Sequence, residues 1–318
     1  MSSYERIRAW LRPRRAPAGL LALALLLSAC GGAKPSDDAR AAADSAVAAT
    51  DDAGREIRLA RPAARIVSLV PSATETLVAL GARETVVGRT DYDEAPEVAA
   101  VPSVGGGLDP SLEKLAALRP DLVIGWETVG RPELRDRLEA LGIPVFAMAT
   151  QDTADVFRGI ASLGRLTGRG RAADSLAAAV RAELDAVRAS VAGKPRPSVF
   201  WLVQTDPPMT AGRATFVSEL VEVAGGHNAF GDLEALWPNV SMEEIVRRQP
   251  DVLIVPVVEA RTARVEELRA LPGWRELRAM REGRARSVDA ELVNRPGPSI
   301  GKAARAVAEA IHASAAPR

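Results

Sequence analysis

The 318-residue chain is poor in the residues that build disulfide frameworks, metal centres and catalytic triads: it holds one cysteine and two histidines, and aromatic side chains make up 4% of it. A single thiol cannot close an internal disulfide, so stability must come from a packed core. His227 follows the helix-ending pair Gly225-Gly226 and reads as a loop residue, while His312 falls in a terminal helix. A histidine-based metal site or a Ser-His-Asp triad would therefore have to be built around His227. No Gly-x-x-x-x-Gly-Lys segment is present to cradle phosphates, and Gly105-Gly106-Gly107 lacks the dinucleotide-binding spacing. With 41 basic and 41 acidic residues the formal charge is zero, and no positive cluster suggests a nucleic-acid surface. These absences argue against an enzyme and against a cofactor-dependent reaction.

What is present begins at the N-terminus. Arg6, Arg8, Arg12, Arg14 and Arg15 precede the apolar run Leu20 to Leu27, far shorter than the roughly 20 residues that span a bilayer. This is the pattern of a secretory signal over residues 1–29. Leu27-Ser28-Ala29-Cys30 resembles the lipobox of bacterial lipoproteins, which makes Cys30 the lipidation site and the mature N-terminus. The Ala-, Asp- and Ser-rich stretch that follows has almost no large apolar side chain and reads as a flexible tether, with residues 30–60 assigned to it together with Cys30. The chain is thus expected to be exported and membrane-anchored, facing the periplasm or the cell exterior.

The body of the chain carries a fourteen-residue phrase twice, SLEKLAALRPDLVI from Ser111 to Ile124 and SMEEIVRRQPDVLI from Ser241 to Ile254. In both copies a serine can cap a short helix, apolar residues recur at helical spacing, Pro-Asp ends the helix, and a β-branched run reads as a buried strand. Half of a βαβ unit repeated in this way predicts two matching α/β lobes with a groove between them, the usual seat of a small ligand.

The first lobe, residues 61–150, reads as a strand at Ile66–Val70, a helix over Ala73–Leu80 stopped by Gly81, a short strand near Val86-Val87, the first repeat, a helix over Arg131–Leu141 and a strand at Val145–Met148. A linker region, residues 151–194, is helical from Thr153 to about Val191 with an interruption at Gly168-Arg169-Gly170. Its Ala-, Leu-, Arg- and Glu-rich second part predicts one continuous helix bridging the lobes. The second lobe, residues 195–318, restarts with a strand at Ser198–Val203 and ends in a helix from Ser299.

The segments RIVSLVPSATETLVALGARETVVGRTDY, VGGGLDPSLEKLAALRPDLVIGW, DPPMTAGRATFVSELVEVAGGHNAF and LWPNVSMEEIVRRQPDVLIV resemble the periplasmic cobalamin-binding proteins of ABC importers. These belong to a helix-linked superfamily that also carries siderophores and haem. The resemblance covers about Arg65 to Ile311. It implies two Rossmann-like lobes joined by a single long helix, with the ligand between them. Cobalamin is broad and nearly flat, so its cleft needs rigid apolar faces and a few hydrogen-bonding groups. Trp126 and Trp237, in loops beside the two repeat copies at the equivalent edge of each lobe, are the expected faces. By the resemblance Tyr92 contacts the ligand, Met209 stands where relatives often have an aromatic wall, and Asp289 and Arg295 match an aspartate and an arginine of a ligand-contacting loop. Gly105-Gly106-Gly107 stands where relatives can place another tryptophan.

Glu113 and Glu243 occupy the same place in the two repeats, and by the resemblance each docks on arginines of the membrane permease. Each also lies in a first helical turn, where a carboxylate offsets the dipole. The resulting expectation is a monomeric substrate-binding lipoprotein, not an enzyme and without a cofactor or metal, that presents cobalamin or a related corrinoid to an ABC permease and its ATPase subunits. The alternative within the same fold is a ferric siderophore or haem carrier.

Overall fold

A computed structural model describes residues 46–127, 132–258 and 264–314. The signal segment, Cys30 and the first part of the tether lie outside the described residues.

The described chain opens with a short antiparallel ribbon, β1 (Val47–Thr50) and β2 (Glu56–Leu59), paired from Val47 opposite Leu59 to Thr50 opposite Glu56. This corrects the reading of residues 30–60 as tether throughout. The stretch folds because Ala49 and Ile57 enter the main core, with Val47 and Leu59 packed against it, and because its polar residues find partners. The amide of Asp52 donates to the Ala147 carbonyl at 3.0 Å, and the carboxylates of Asp51 and Asp52 accept from the amides of Ala147 (3.3 Å) and Ala149 (2.7 Å). Arg55 donates to the Val145 carbonyl at 3.1 Å and pairs with the fully buried Asp51 carboxylate at 2.7 Å.

The first lobe then follows as β3 (Ile66–Ser68), α1 (Pro71–Ala79), β4 (Val86–Gly88), α2 (Leu112–Ala117), β5 (Leu122–Trp126), α3 (Pro132–Ala140) and β6 (Val145–Met148). Its four strands are parallel in the order β4-β3-β5-β6. Ile66, Val67, Leu122, Val123 and Ile124 are all fully buried, as near-continuous apolar strands covered on both faces must be.

The interruption expected at Gly168-Arg169-Gly170 separates α4 (Thr153–Leu166) from the continuous 22-residue α5 (Gly170–Val191). Between them Gly168 adopts a left-handed φ of 68°, and an added Cβ there would come within 3.0 Å of Pro62. A left-handed residue ends the first helix. Helix α4 packs on α1 and β1, whereas α5 packs on α4 and on helices of the second lobe. The long helix α5 therefore carries the crossing, and α4 is part of the first lobe rather than of a separate linker.

The second lobe comprises β7 (Ser198–Trp201), the ribbon β8 (Gln204–Thr205) and β9 (Pro208–Met209), α6 (Phe216–Val223), β10 (His227–Asn228), α7 (Met242–Arg248), β11 (Val252–Val257), α8 (Arg264–Ala270), α9 (Arg278–Arg281), β12 (Ala285–Asp289), α10 (Ala290–Val293) and α11 (Ile300–His312). Its parallel sheet runs β10-β7-β11-β12. In each lobe the first strand has the second on one side and the third on the other, so both sheets share one topology.

The duplicated phrase explains the match residue by residue. Ser111 caps Lys114 and Ser241 caps Glu244 through their hydroxyls, each worth about 1 kcal/mol. Leu115 and Ile245 plug the core at 0% exposure. Before the shared Pro-Asp, Arg119 and Gln249 have φ of 46° and 44°, the two non-glycine residues in the left-handed region among the described residues. The aspartates then close each lobe's first strand: Asp121 accepts from the amides of Ala64 and Arg65, and Asp251 from the amide and hydroxyl of Ser198.

Candidate functional site

The carboxyl ends of parallel strands are where open α/β sheets bind ligands, and there a cleft of about 770 Å³ is lined by residues of both lobes. From the first lobe come Leu69 and Pro71 after β3, Tyr92, Leu108 and Trp126; from the second come Phe216, Trp237, Glu291, Asn294 and Arg295. Tyr92, Leu108 and Trp237 are 64%, 49% and 42% exposed. Three large apolar side chains left open to solvent in one concavity mark a binding surface.

Trp126 ends strand β5, paired with Met148, and does not lie in a loop. Trp237 lies in the loop before the second repeat, whereas Trp126 follows the first, so their positions are not equivalent as the sequence suggested. They nevertheless line one cleft from opposite lobes. Trp237 stands edge-on to Phe216, with ring centroids 6.4 Å apart at 67°, so the second wall is a pair of aromatic rings rather than one indole. Gly107 is shaped by Trp126: a Cβ at position 107 would lie 2.4 Å from the Leu69 carbonyl oxygen and 3.2 Å from the indole nitrogen. No side chain fits there without moving that backbone, which accounts for the glycine at position 107.

Tyr92 sits on a loop pinned by Asp93, a buried carboxylate that accepts from the amide and hydroxyl of Thr90 at 2.8 and 2.6 Å. Arg295 reaches across from the second lobe, donating to the Tyr92 carbonyl at 2.9 Å. Its guanidinium also pairs with Glu75 on α1, at 3.6 Å, and with Glu291. Burial pushes the Glu75 carboxyl above its ordinary pKa, reinforced by Asp93, while Arg295 pulls it back.

Two sequence-predicted residues lie outside this cleft. Asp289 is exposed and caps α10 by accepting from the Glu291 amide at 2.9 Å. The carboxylate that faces the cleft is Glu291, two residues on. Its spacing to Arg295, one helical turn, is the signal in the sequence that identifies it. Met209 lines a neighbouring cavity, together with Phe216 and Trp237, rather than the cleft itself. His227 is exposed with its ring near the Arg196 carbonyl, remote from the cleft lining.

Glu113 and Glu243 are both exposed in the first turn of α2 and α7. Neither enters an ion pair among the described residues, whereas the adjacent Glu244 is held by Arg247 and Arg248. Because each helix runs back from the carboxyl ends of the strands, its first turn sits on the cleft side of the lobe.

The profile of the family described as periplasmic binding protein matches residues 66–292. The chain is 31% identical over 306 residues to an uncharacterized ABC transporter substrate-binding lipoprotein of Bacillus subtilis, covering 93% of this chain and 96% of that one. It is 32% identical over 317 residues to a cobalamin-binding protein of Halobacterium salinarum, covering 95% and 85% respectively. Among solved structures, a periplasmic haem-binding protein of Roseiflexus in apo form superposes with a TM-score of 0.70 at 32% identity, covering 79% of this chain and 99% of that one.

Proposed function

The chain belongs to the periplasmic binding protein family, and from that premise we propose that it captures cobalamin or a related corrinoid in the interlobe cleft and delivers it to an ABC permease. As a substrate-binding component of an ABC importer it binds and releases its cargo without chemical conversion; it is not an enzyme.

The observation that carries the corrinoid reading is the charge state of the cleft. Among the described residues the one cation on its lining, Arg295, is already engaged by Glu75 and Glu291. Haem brings two propionates, and acidic ferric siderophores bring comparable negative charge; both call for free arginines or lysines. A corrin instead presents a flat apolar body rimmed with neutral amide arms. Such a body fits between Trp126 on one side and the Phe216–Trp237 pair on the other, with Gln151 and Asn294 on the lining to meet the amides. The similarity to a cobalamin-binding protein supports the same reading. A haem reading draws on the similarity to the Roseiflexus protein and on the Tyr92 phenol.

Purified protein mixed with cobalamin, haemin and ferric hydroxamates separates these readings by gel filtration with absorbance detection. Co-elution of cobalamin is the expected result, and retention of haemin or a ferric hydroxamate in its place rejects the assignment. For delivery, the unpaired carboxylates of Glu113 and Glu243, one per lobe on the cleft side, are proposed to meet cationic side chains of the two permease subunits, fixing orientation. Cys30 is proposed to carry a lipid, a reading supported by the lipoprotein description of the Bacillus relative.

A further inference from the structure

The two lobes share their topology but not the crevice between their first and third strands. In the first lobe Leu69 donates its amide to the Ile124 carbonyl at 2.8 Å, and in the second Leu202 donates to the Ile254 carbonyl at 2.9 Å. These equivalent bonds mark the point where each crevice opens. Two residues beyond each repeat copy, the first lobe has Trp126 and the second has Pro256. Trp126 lines the main cleft, and the first-lobe cavity beside it, bounded also by Leu69, β5, β6 and α3, is about 40 Å³. In the second lobe a chamber of about 760 Å³ opens instead.

Leu202, Val203, Met209 and Val258 line this chamber, and Phe216 and Trp237 form the partition that it shares with the main cleft. Val203 and Val258 are 37% and 39% exposed, so the apolar lining is open to solvent. Asn294, also common to both spaces, is the uncharged polar group on the partition. Arg264 contributes a cation at the chamber, donating to the Pro256 carbonyl at 3.1 Å.

We propose that the chamber is a second compartment of the binding site, built for a heteroaromatic appendage that projects from one face of the ligand's flat body. The inference rests on the corrinoid reading and extends it: the ring system lies in the main cleft, and the nucleotide base arm enters the second-lobe chamber past Trp237. The first-lobe cavity beside Trp126, about 40 Å³, is too small for such a group. The ligand is therefore held in one orientation, with the appendage toward the second lobe. Apolar walls supply the area term for an aromatic base, and Asn294 supplies a hydrogen bond to its polar edge.

The test uses the full chain and two substitutions that fill the chamber without touching the main cleft, Val203→Trp and Val258→Trp. Isothermal titration compares cobalamin with its ring-only precursor, which lacks the base arm. The expected result is a loss of cobalamin affinity of about tenfold or more in each variant, with precursor affinity changed by less than about twofold. Equal losses for both ligands, or unchanged cobalamin affinity in both variants, overturn the inference while leaving the corrinoid reading in place. If the unaltered chain binds neither ligand, the corrinoid reading fails and takes the inference with it.

Discussion

Arg295 of the second lobe donates to the backbone carbonyl of Tyr92 in the first, at 2.9 Å, so one guanidinium ties together the two walls of the cleft. The same group faces Glu75, whose carboxyl is held above its ordinary pKa of 4.5 chiefly by burial. A carboxyl with a raised folded-state pKa binds its proton more tightly in the native state than in the unfolded state. Its favourable contribution is complete below the unfolded value and is lost as pH rises through the folded one. Thermal melts from about pH 4 to about pH 7 should show the native chain losing stability relative to Glu75→Gln as the pH rises. Parallel profiles for the two proteins would contradict this account of Glu75.

The two indoles should separate binding from folding. Trp126→Ala and Trp237→Ala are each expected to weaken corrinoid binding by on the order of 1–3 kcal/mol, the value of a lost aromatic face. Trp126 is half-buried and packs against the main core, so its replacement should also lower the melting temperature. Trp237, 42% exposed, should be replaceable with little effect on the fold. Calorimetric affinities unchanged in both variants would remove the cleft from consideration.

Docking has its own signature. Glu113→Ala combined with Glu243→Ala should leave ligand affinity intact and impair uptake into cells or vesicles carrying the permease. The fold has little to lose, because neither carboxylate is paired in an ion pair among the described residues. Full transport by the double variant would show that these side chains do not set orientation.

Gly107→Ala probes the backing of the first-lobe wall. Its methyl would lie 2.4 Å from the Leu69 carbonyl oxygen, which is backbone and cannot swing aside. We expect a cost of about 1–3 kcal/mol in stability, typical of overpacking. A displaced Trp126 should add a loss of ligand affinity. A melting temperature equal to that of the native chain would show that the wall yields at no cost.

The sequence made the repeats legible because each is a local code: a capping serine, an apolar plug at Leu115 or Ile245, and Pro-Asp before a buried strand. It also made legible the apolar strands that place Trp126 in the cleft. Two features were hidden for physical reasons. The β1–β2 ribbon puts only small or isolated apolar residues such as Ala49 and Ile57 into the core and is also held by carboxylates and one arginine acting on distant backbone, so its composition resembles that of a tether. Glu291 escaped notice because which carboxylate of this stretch faces the cleft is decided by the short helix α10, whose first residue lies between Asp289 and Glu291.

The ribbon's hold on β6 has a consequence for how copies of the chain behave together. Strand β6 is the last in its sheet, and its outward amides and carbonyls, from Val145 to Ala149, are taken up by Asp51, Asp52 and Arg55. A bare sheet margin is a template for strand addition by a neighbouring molecule. A chain trimmed to start after Leu59 would expose that template, and should self-associate more than the intact chain in sedimentation or light scattering.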